Sequence, residues 1–212
     1  MKSKIGLLGL CAILSSPVAL TQVLDQECAV STNQISYGIT YDYAKAQTFT
    51  VGISGELVAF DLYLTASSSI YSVYWDIRPT SGGAPEATNA NALASGSVVT
   101  SSLPNSWGFY TFNLSSGATV HAGDVLAITM STTASSTVAS FGGRSDNPYG
   151  GGSLYTDGAM GTATTWSAVP AYDLGFRTYV VPASVPEPET VSLLFGLVTL
   201  LAVATGRRYA RN

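Results

Sequence analysis

Histidine is almost missing from this 212-residue chain, which has one, His121, and charge is sparse, at 10% of residues against the quarter or so usual for soluble proteins. Each scarcity excludes something. Ser-His-Asp and Cys-His catalysts need an imidazole base, and His121 sits in the turn-like stretch Val120-His121-Ala122-Gly123, where a turn residue ahead of a strand is the simpler reading. Two cysteines, Cys11 and Cys28, are too few for a disulfide-stapled mini-protein, and one histidine with one distant cysteine supplies no zinc cluster. No spaced Asp-x-Asp calcium loop occurs. Basic residues are also few: nine Lys and Arg against thirteen Asp and Glu give −4, with a pI of about 4.7, which argues against nucleic acid as a partner. No repeat of fixed period is visible, which argues against a propeller or solenoid. No catalytic residue, metal or cofactor is expected.

What is abundant is apolar surface, at 46% of residues with mean hydropathy +0.27, and the two ends hold much of it. Lys2 and Lys4 precede an uncharged run from Ile5 to Leu20, the layout of a secretory signal peptide. Ala19 and Thr21 place its cleavage near Thr21 or Gln22. Removal of residues 1–21 takes Cys11 with it and leaves Cys28 as a lone thiol. At the other end, Val185-Pro186-Glu187-Pro188-Glu189 leads into an uncharged run from Thr190 to Gly206, followed by Arg207, Arg208 and Arg211. As a helix from Glu189 to Arg208 the segment has 20 residues and is roughly 30 Å long, enough to span a bilayer. The arginines place the terminus on the cytoplasmic side and the middle of the chain outside.

This tail, residues 185–212, closely resembles the PEP-CTERM sorting signal of Gram-negative bacteria, with its motif, membrane helix (about 189–206) and basic end (207–212) in the same order. The resemblance implies processing by exosortase, a membrane cysteine protease or transpeptidase. Val185, Pro186, Glu187 and Pro188 would be the recognised segment, and Arg207, Arg208 and Arg211 the retention cluster. It also implies an inner-membrane-anchored precursor passed on to the cell surface or an exopolysaccharide matrix. Prolines suit such a motif because they keep the chain extended and poor in internal hydrogen bonds.

Between residues 22 and 184 the composition changes to Ser, Thr, Gly, Ala and Tyr, and the segment carries four basic and eleven acidic residues, or −7. Period-two alternation dominates. Strands are expected at 47–53, 57–65, 71–78, 93–100, 107–114, 125–131, 138–142, 153–155 and 174–181. Val58, Phe60, Leu62 and Leu64 form one apolar row, and Tyr71, Val73, Trp75 and Ile77 another. Residues 81–91 read as a loop, and Ser116-Gly117, Ala122-Gly123-Asp124 and Asp157-Gly158 as turns. Eight or nine short strands predict an all-β antiparallel sandwich or jelly roll. Gln47 to Val51, Asp76 to Thr80, Leu93 to Gly96, Gly123 to Ile128, Asn147 to Tyr149 with Gly150 to Gly152, and Asp173 to Tyr179 resemble an extracellular β-sandwich module found with interchangeable surface anchors. That resemblance implies fold and surface placement rather than chemistry.

The glycine-rich loop 142–152 holds Arg144, Asp146, Asn147 and Tyr149, and is followed by Tyr155, Asp157 and Trp166. Aromatic faces stack on sugar rings, and Asp and Asn bond hydroxyls, so Tyr149, Tyr155, Trp166, Asp146 and Asn147 are the candidate glycan-binding residues. Arg144 and Arg177 are equally able to pair with Asp146 or Asp173. A glycosidase needs two facing carboxyls, and Asp61 and Asp76, the acids in mid-strand, are the candidates for it. Both fall on faces opposite the apolar rows, where an exposed outer position is expected.

Overall fold

The computed structural model describes residues 21–30, 35–67, 70–157 and 165–183. The expected signal peptide (but for Thr21), the sorting motif, the membrane helix and the arginine tail lie outside the described residues. What is described is all-β: fourteen strands in two antiparallel sheets whose inner faces share one core, the arrangement of a β-sandwich.

The first sheet contains β1 (Val23–Cys28), β2 (Ile35–Ile39), β4 (Gly55–Ala66), β8 (Gly108–Val120), β10 (Ala139–Arg144), β13 (Asp173–Leu174) and β14 (Phe176–Pro182). Its centre is β4, with β8 along one edge, β14 along most of the other, and β10 taking over from β14 at Leu64 to Ala66. The second sheet contains β3 (Ala44–Thr50), β5 (Ser72–Ser81), β6 (Ala84–Pro85), β7 (Ala94–Val99), β9 (Val125–Thr132), β11 (Leu154–Asp157) and β12 (Ser167–Val169). Nine of these strands fall where the alternation places them. Five short ones, β1, β2, β6, β12 and β13, raise the count above the expected eight or nine.

The apolar rows meet between the sheets. Phe60, Leu62 and Leu64 of β4 and Phe112 of β8 face Val73, Trp75 and Ile77 of β5 and Ile128 and Met130 of β9, all buried. Phe60 stacks on Phe112 at 4.8 Å and meets Trp75 edge-on at 5.2 Å, geometries that add to the burial of area. Two members of the expected rows are wrong. Tyr71 is exposed, just ahead of β5. Val58 is half-buried, whereas Leu57 is fully buried. The register of β4 against both β14 and β8 shifts between Leu57 and Ala59, so Val58 is the extra residue of a bulge, and a bulge reverses the inside-outside phase of the strand. The expected turn at Ser116-Gly117 belongs to the same irregularity: β8 continues through it to Val120.

Polar groups also join the sheets. Gln47 of β3 is fully buried, donates from Nε2 to Asp173 Oδ1 at 3.0 Å and accepts from the Leu174 backbone N–H at 2.7 Å. Asp173 Oδ2 accepts from the Tyr149 N–H at 3.0 Å. Burial raises the Asp173 carboxyl above its ordinary value, against the pull of those donors.

The two ends of the described domain are neighbours. β1 pairs with β14 so that Val23 lies opposite Val180, and Pro182 lies opposite Gly55. Asp25 accepts from the Gly52 and Ile53 N–H groups, and the Ala183 N–H bonds Ser54. The turn at 121–124 closes the same pole through bonds to Val51 and Ser54.

Candidate functional site

The outer face of the second sheet carries a cleft. Arg78 on β5 points outward, where its Nε and Nη2 grip Asp76 at 2.6 and 2.5 Å. Beyond Ser81 the chain reverses through Gly82 and Gly83, with φ of 62° and 86°, the left-handed pair that a two-residue hairpin turn requires. Segment 81–91 is therefore not simply a loop: β6 returns antiparallel to β5, with Pro85 opposite Thr80, and Pro85 is buried. The Glu86 carbonyl then accepts two donors, Arg78 Nη1 at 2.9 Å and Trp166 Nε1 at 3.3 Å. Tyr155 holds the hairpin tip by donating from its hydroxyl to Gly83 O at 3.0 Å.

These contacts frame a cleft of about 620 Å³ lined by Pro85, Glu86, Thr88, Asn91, Thr165 and Trp166, among others, within the size range of small-ligand sites. Trp166 supplies a half-buried indole wall. Glu86 supplies a carboxylate, oriented by Asn91 Nδ2 at 2.9 Å. An apolar ring beside fixed acceptors and an amide suits hydroxylated rings, and the carboxylate disfavours an anionic ligand.

Of the five expected glycan-binding residues, Trp166 lines this cleft and Tyr155 braces its hairpin. The other three are elsewhere. Tyr149 is 8% exposed, packs edge-on against Phe176 at 5.0 Å, accepts from the Thr50 N–H and donates to Gln26 Oε1. It is an interior residue with a satisfied hydroxyl, and no sugar can stack on it. Asp146 and Asn147 are exposed after β10, on the first sheet's side, where Asp146 is held by Arg144 at 2.5 Å. That pair lowers the carboxyl's pKa and raises the guanidinium's. Glu86, Thr88 and Asn91 escape a reading of the sequence because the segment has no alternation. The signal there is the Gly82-Gly83 pair with Pro85, which marks a hairpin folded back on its own sheet.

The carboxylates considered for glycoside hydrolysis are not exposed, at 4% for Asp61 and 7% for Asp76. Each is covered by its partners. Asp61 accepts from Thr111 and Tyr179 hydroxyls, both at 2.7 Å, and Asp76 is closed over by Arg78. They also sit on the outer faces of different sheets, with the core between them, so they cannot flank one glycosidic bond. Arg177 pairs with Glu27 and Asp61, not Asp173. His121 is exposed in its turn beside Asp124, whose carboxylate accepts the His121 N–H at 2.8 Å.

Cys28 is buried, and burial beside Asp173 pushes its thiol up to about 12. Lys45 on β3 is 4% exposed, its ammonium donating to Ala44 O at 3.2 Å and lying 5.3 Å from the Tyr43 ring centroid. Burial lowers its pKa to about 8. Among the described residues no three His, Cys, Asp or Glu side chains converge as a metal site would need. No family model matches the chain, and no curated protein matches it.

Proposed function

We propose that the chain is an exported, non-enzymatic surface or exopolysaccharide-matrix protein: a jelly-roll sandwich carried between a signal peptide and a sorting tail that exosortase reads. The observation that carries this reading is the tail, in which Val185-Pro186-Glu187-Pro188, an uncharged run and Arg207, Arg208 and Arg211 follow in order. The fold is compatible with it. Because β1 and β14 are antiparallel neighbours, both connections to membrane segments leave from one pole, and the domain can hang from a bilayer without being crossed by either. From β3 to β5 and from β8 to β11 the chain alternates between sheets, as a jelly roll does.

Fractionation of cells expressing the wild type and a Pro186→Ala, Pro188→Ala variant tests the proposal. Processed wild type at the surface or in the medium, with full-length variant held in the inner membrane, supports it. Identical size and location of the two forms would overturn it.

A second reading, a carbohydrate-binding role, is favoured by the Trp166 cleft. Full-length protein in detergent micelles should bind neutral oligosaccharides on a glycan array, and Trp166→Ala should reduce that signal. An array without signal, or one indifferent to the substitution, removes this reading.

A further inference from the structure

The outer face of the first sheet carries a second arrangement, separate from the cleft. Glu27, Arg177, Asp61 and Thr111 are direct register partners on β1, β14, β4 and β8, so they form one transverse row across four strands. The row is bonded throughout: Arg177 Nε to Glu27 at 2.7 Å, Arg177 Nη1 to Asp61 at 3.8 Å, and Thr111 Oγ1 to Asp61 at 2.7 Å. Tyr179, in the adjacent row, donates to the second Asp61 oxygen. On the other side lies an aromatic row. Tyr63 and Phe109 are register partners with rings 5.3 Å apart, and Trp107 stacks on Tyr63 at 5.6 Å with 14° between planes. The Arg177 guanidinium lies over Phe109 at 4.0 Å.

The geometry points to a binding platform for a neutral polysaccharide on this face. Trp107 is 36% exposed while its indole stacks on Tyr63, so part of an aromatic ring that is held by a neighbour is open to solvent. Beside it run the Thr111 and Tyr179 hydroxyls, the Arg177 guanidinium and the Glu27 carboxylate, the first three anchored on the buried Asp61, and these are the donors and acceptors that sugar hydroxyls require. Across β8, β4, β14 and β1 the row covers three strand spacings, about 14 Å, an elongated shape that suits a chain rather than a compact ligand. Charge selects the occupant. One guanidinium faces two carboxylates in the row, and residues 22–184 carry −7, so a polyuronate or other anionic partner is repelled. The inference deepens the carbohydrate-binding reading in ligand class, but none of its residues lines the Trp166 cleft.

Co-sedimentation of the full-length protein in detergent micelles with insoluble cellulose, starch granules and mannan, and its retention on immobilised alginate, test it. Retention on at least one neutral polysaccharide is expected. Trp107→Ala should weaken it about tenfold, the loss of one good ring contact. Trp107→Tyr should retain it within about twofold, which excludes a folding defect as the cause, and Trp166→Ala should leave it unchanged. No retention on any neutral polymer, retention on alginate alone, or Trp107→Ala behaving as wild type would overturn the platform. Retention lost only in Trp166→Ala would leave the cleft as the sugar site and overturn the platform alone. A Trp107-dependent dimer in sedimentation, without glycan retention, would assign the face to a second copy of the chain instead.

Discussion

Gln47 and Asp173 lie 126 positions apart and on different sheets, yet the Gln47 amide donates to the Asp173 carboxylate at 3.0 Å through the buried interior. Asp173→Ala would leave the Tyr149 N–H without its acceptor and the Gln47 amide nitrogen with only the Thr48 carbonyl. The expected loss is about 3 kcal/mol of unfolding free energy, read from urea titration; a loss below about 1 kcal/mol would mean that the bridge is not satisfied as described.

The same carboxylate sets a pH dependence. Its pKa is raised above 3.8 by burial, so between that value and the raised one the native state holds a proton that the unfolded state has lost. Stability from this group is therefore full below pH 3.8 and falls as pH rises through the raised value. In Asp173→Asn this component should vanish from the difference between stability curves measured across that window.

Lys45 works in the alkaline range and with the opposite sign. Its native pKa is about 8 against an ordinary 10.5, so from pH 8 to 10.5 the unfolded state binds the extra proton and stability rises with pH. The interval corresponds to about 3 kcal/mol as an order of magnitude. Lys45→Met should be more stable than the wild type at pH 7, and the two denaturation curves should converge by pH 10.5.

Two glycines of one loop should respond differently to alanine. A Cβ on Gly152 would sit 1.8 Å from the Thr48 carbonyl oxygen, whereas one on Gly150 meets nothing within 4 Å. Gly152→Ala should cost about 2 to 3 kcal/mol and Gly150→Ala less than about 0.5 kcal/mol, both by thermal or chemical denaturation. Equal effects would contradict the packing of this loop on β3.

Cys28 should be inert while the domain is folded. With its thiol pushed up to about 12, the thiolate fraction at pH 8 is about 10⁻⁴. In a Cys11→Ser protein, a disulfide reagent should label nothing in buffer and one thiol in denaturant. Rapid labelling of the native protein would place Cys28 outside the core.

The strands that build the core were legible because each has one apolar face and one polar face: Val73, Trp75 and Ile77 alternate cleanly with Ser72, Tyr74 and Asp76. The edge strands were not. Val23–Cys28 has three exposed residues of six, with the apolar Val23 and Leu24 among them, so no apolar row marks it. Val58 was misplaced because a bulge leaves no compositional trace. Asp61 and Asp76 were misjudged for a different reason: alternation assigns a face but not what lies on top of it, and here arginine, tyrosine and threonine side chains roof the outer faces. In the candidate site, Trp166 was identifiable by type, whereas Glu86 and Asn91 depend on a hairpin that brings them to it from 80 and 75 positions away.

The pairing of β1 with β14 has a mechanical consequence. Antiparallel neighbours whose free ends emerge together are peeled apart one hydrogen bond at a time when those ends are pulled, whereas strands loaded lengthwise resist as a set. A domain tethered at residue 21 and residue 183 at once would take tension in its weakest direction. Attachment by the C-terminal side alone directs the load into β14, which is flanked along its length by β4 as well as β1, and leaves the first strand under no pull at all.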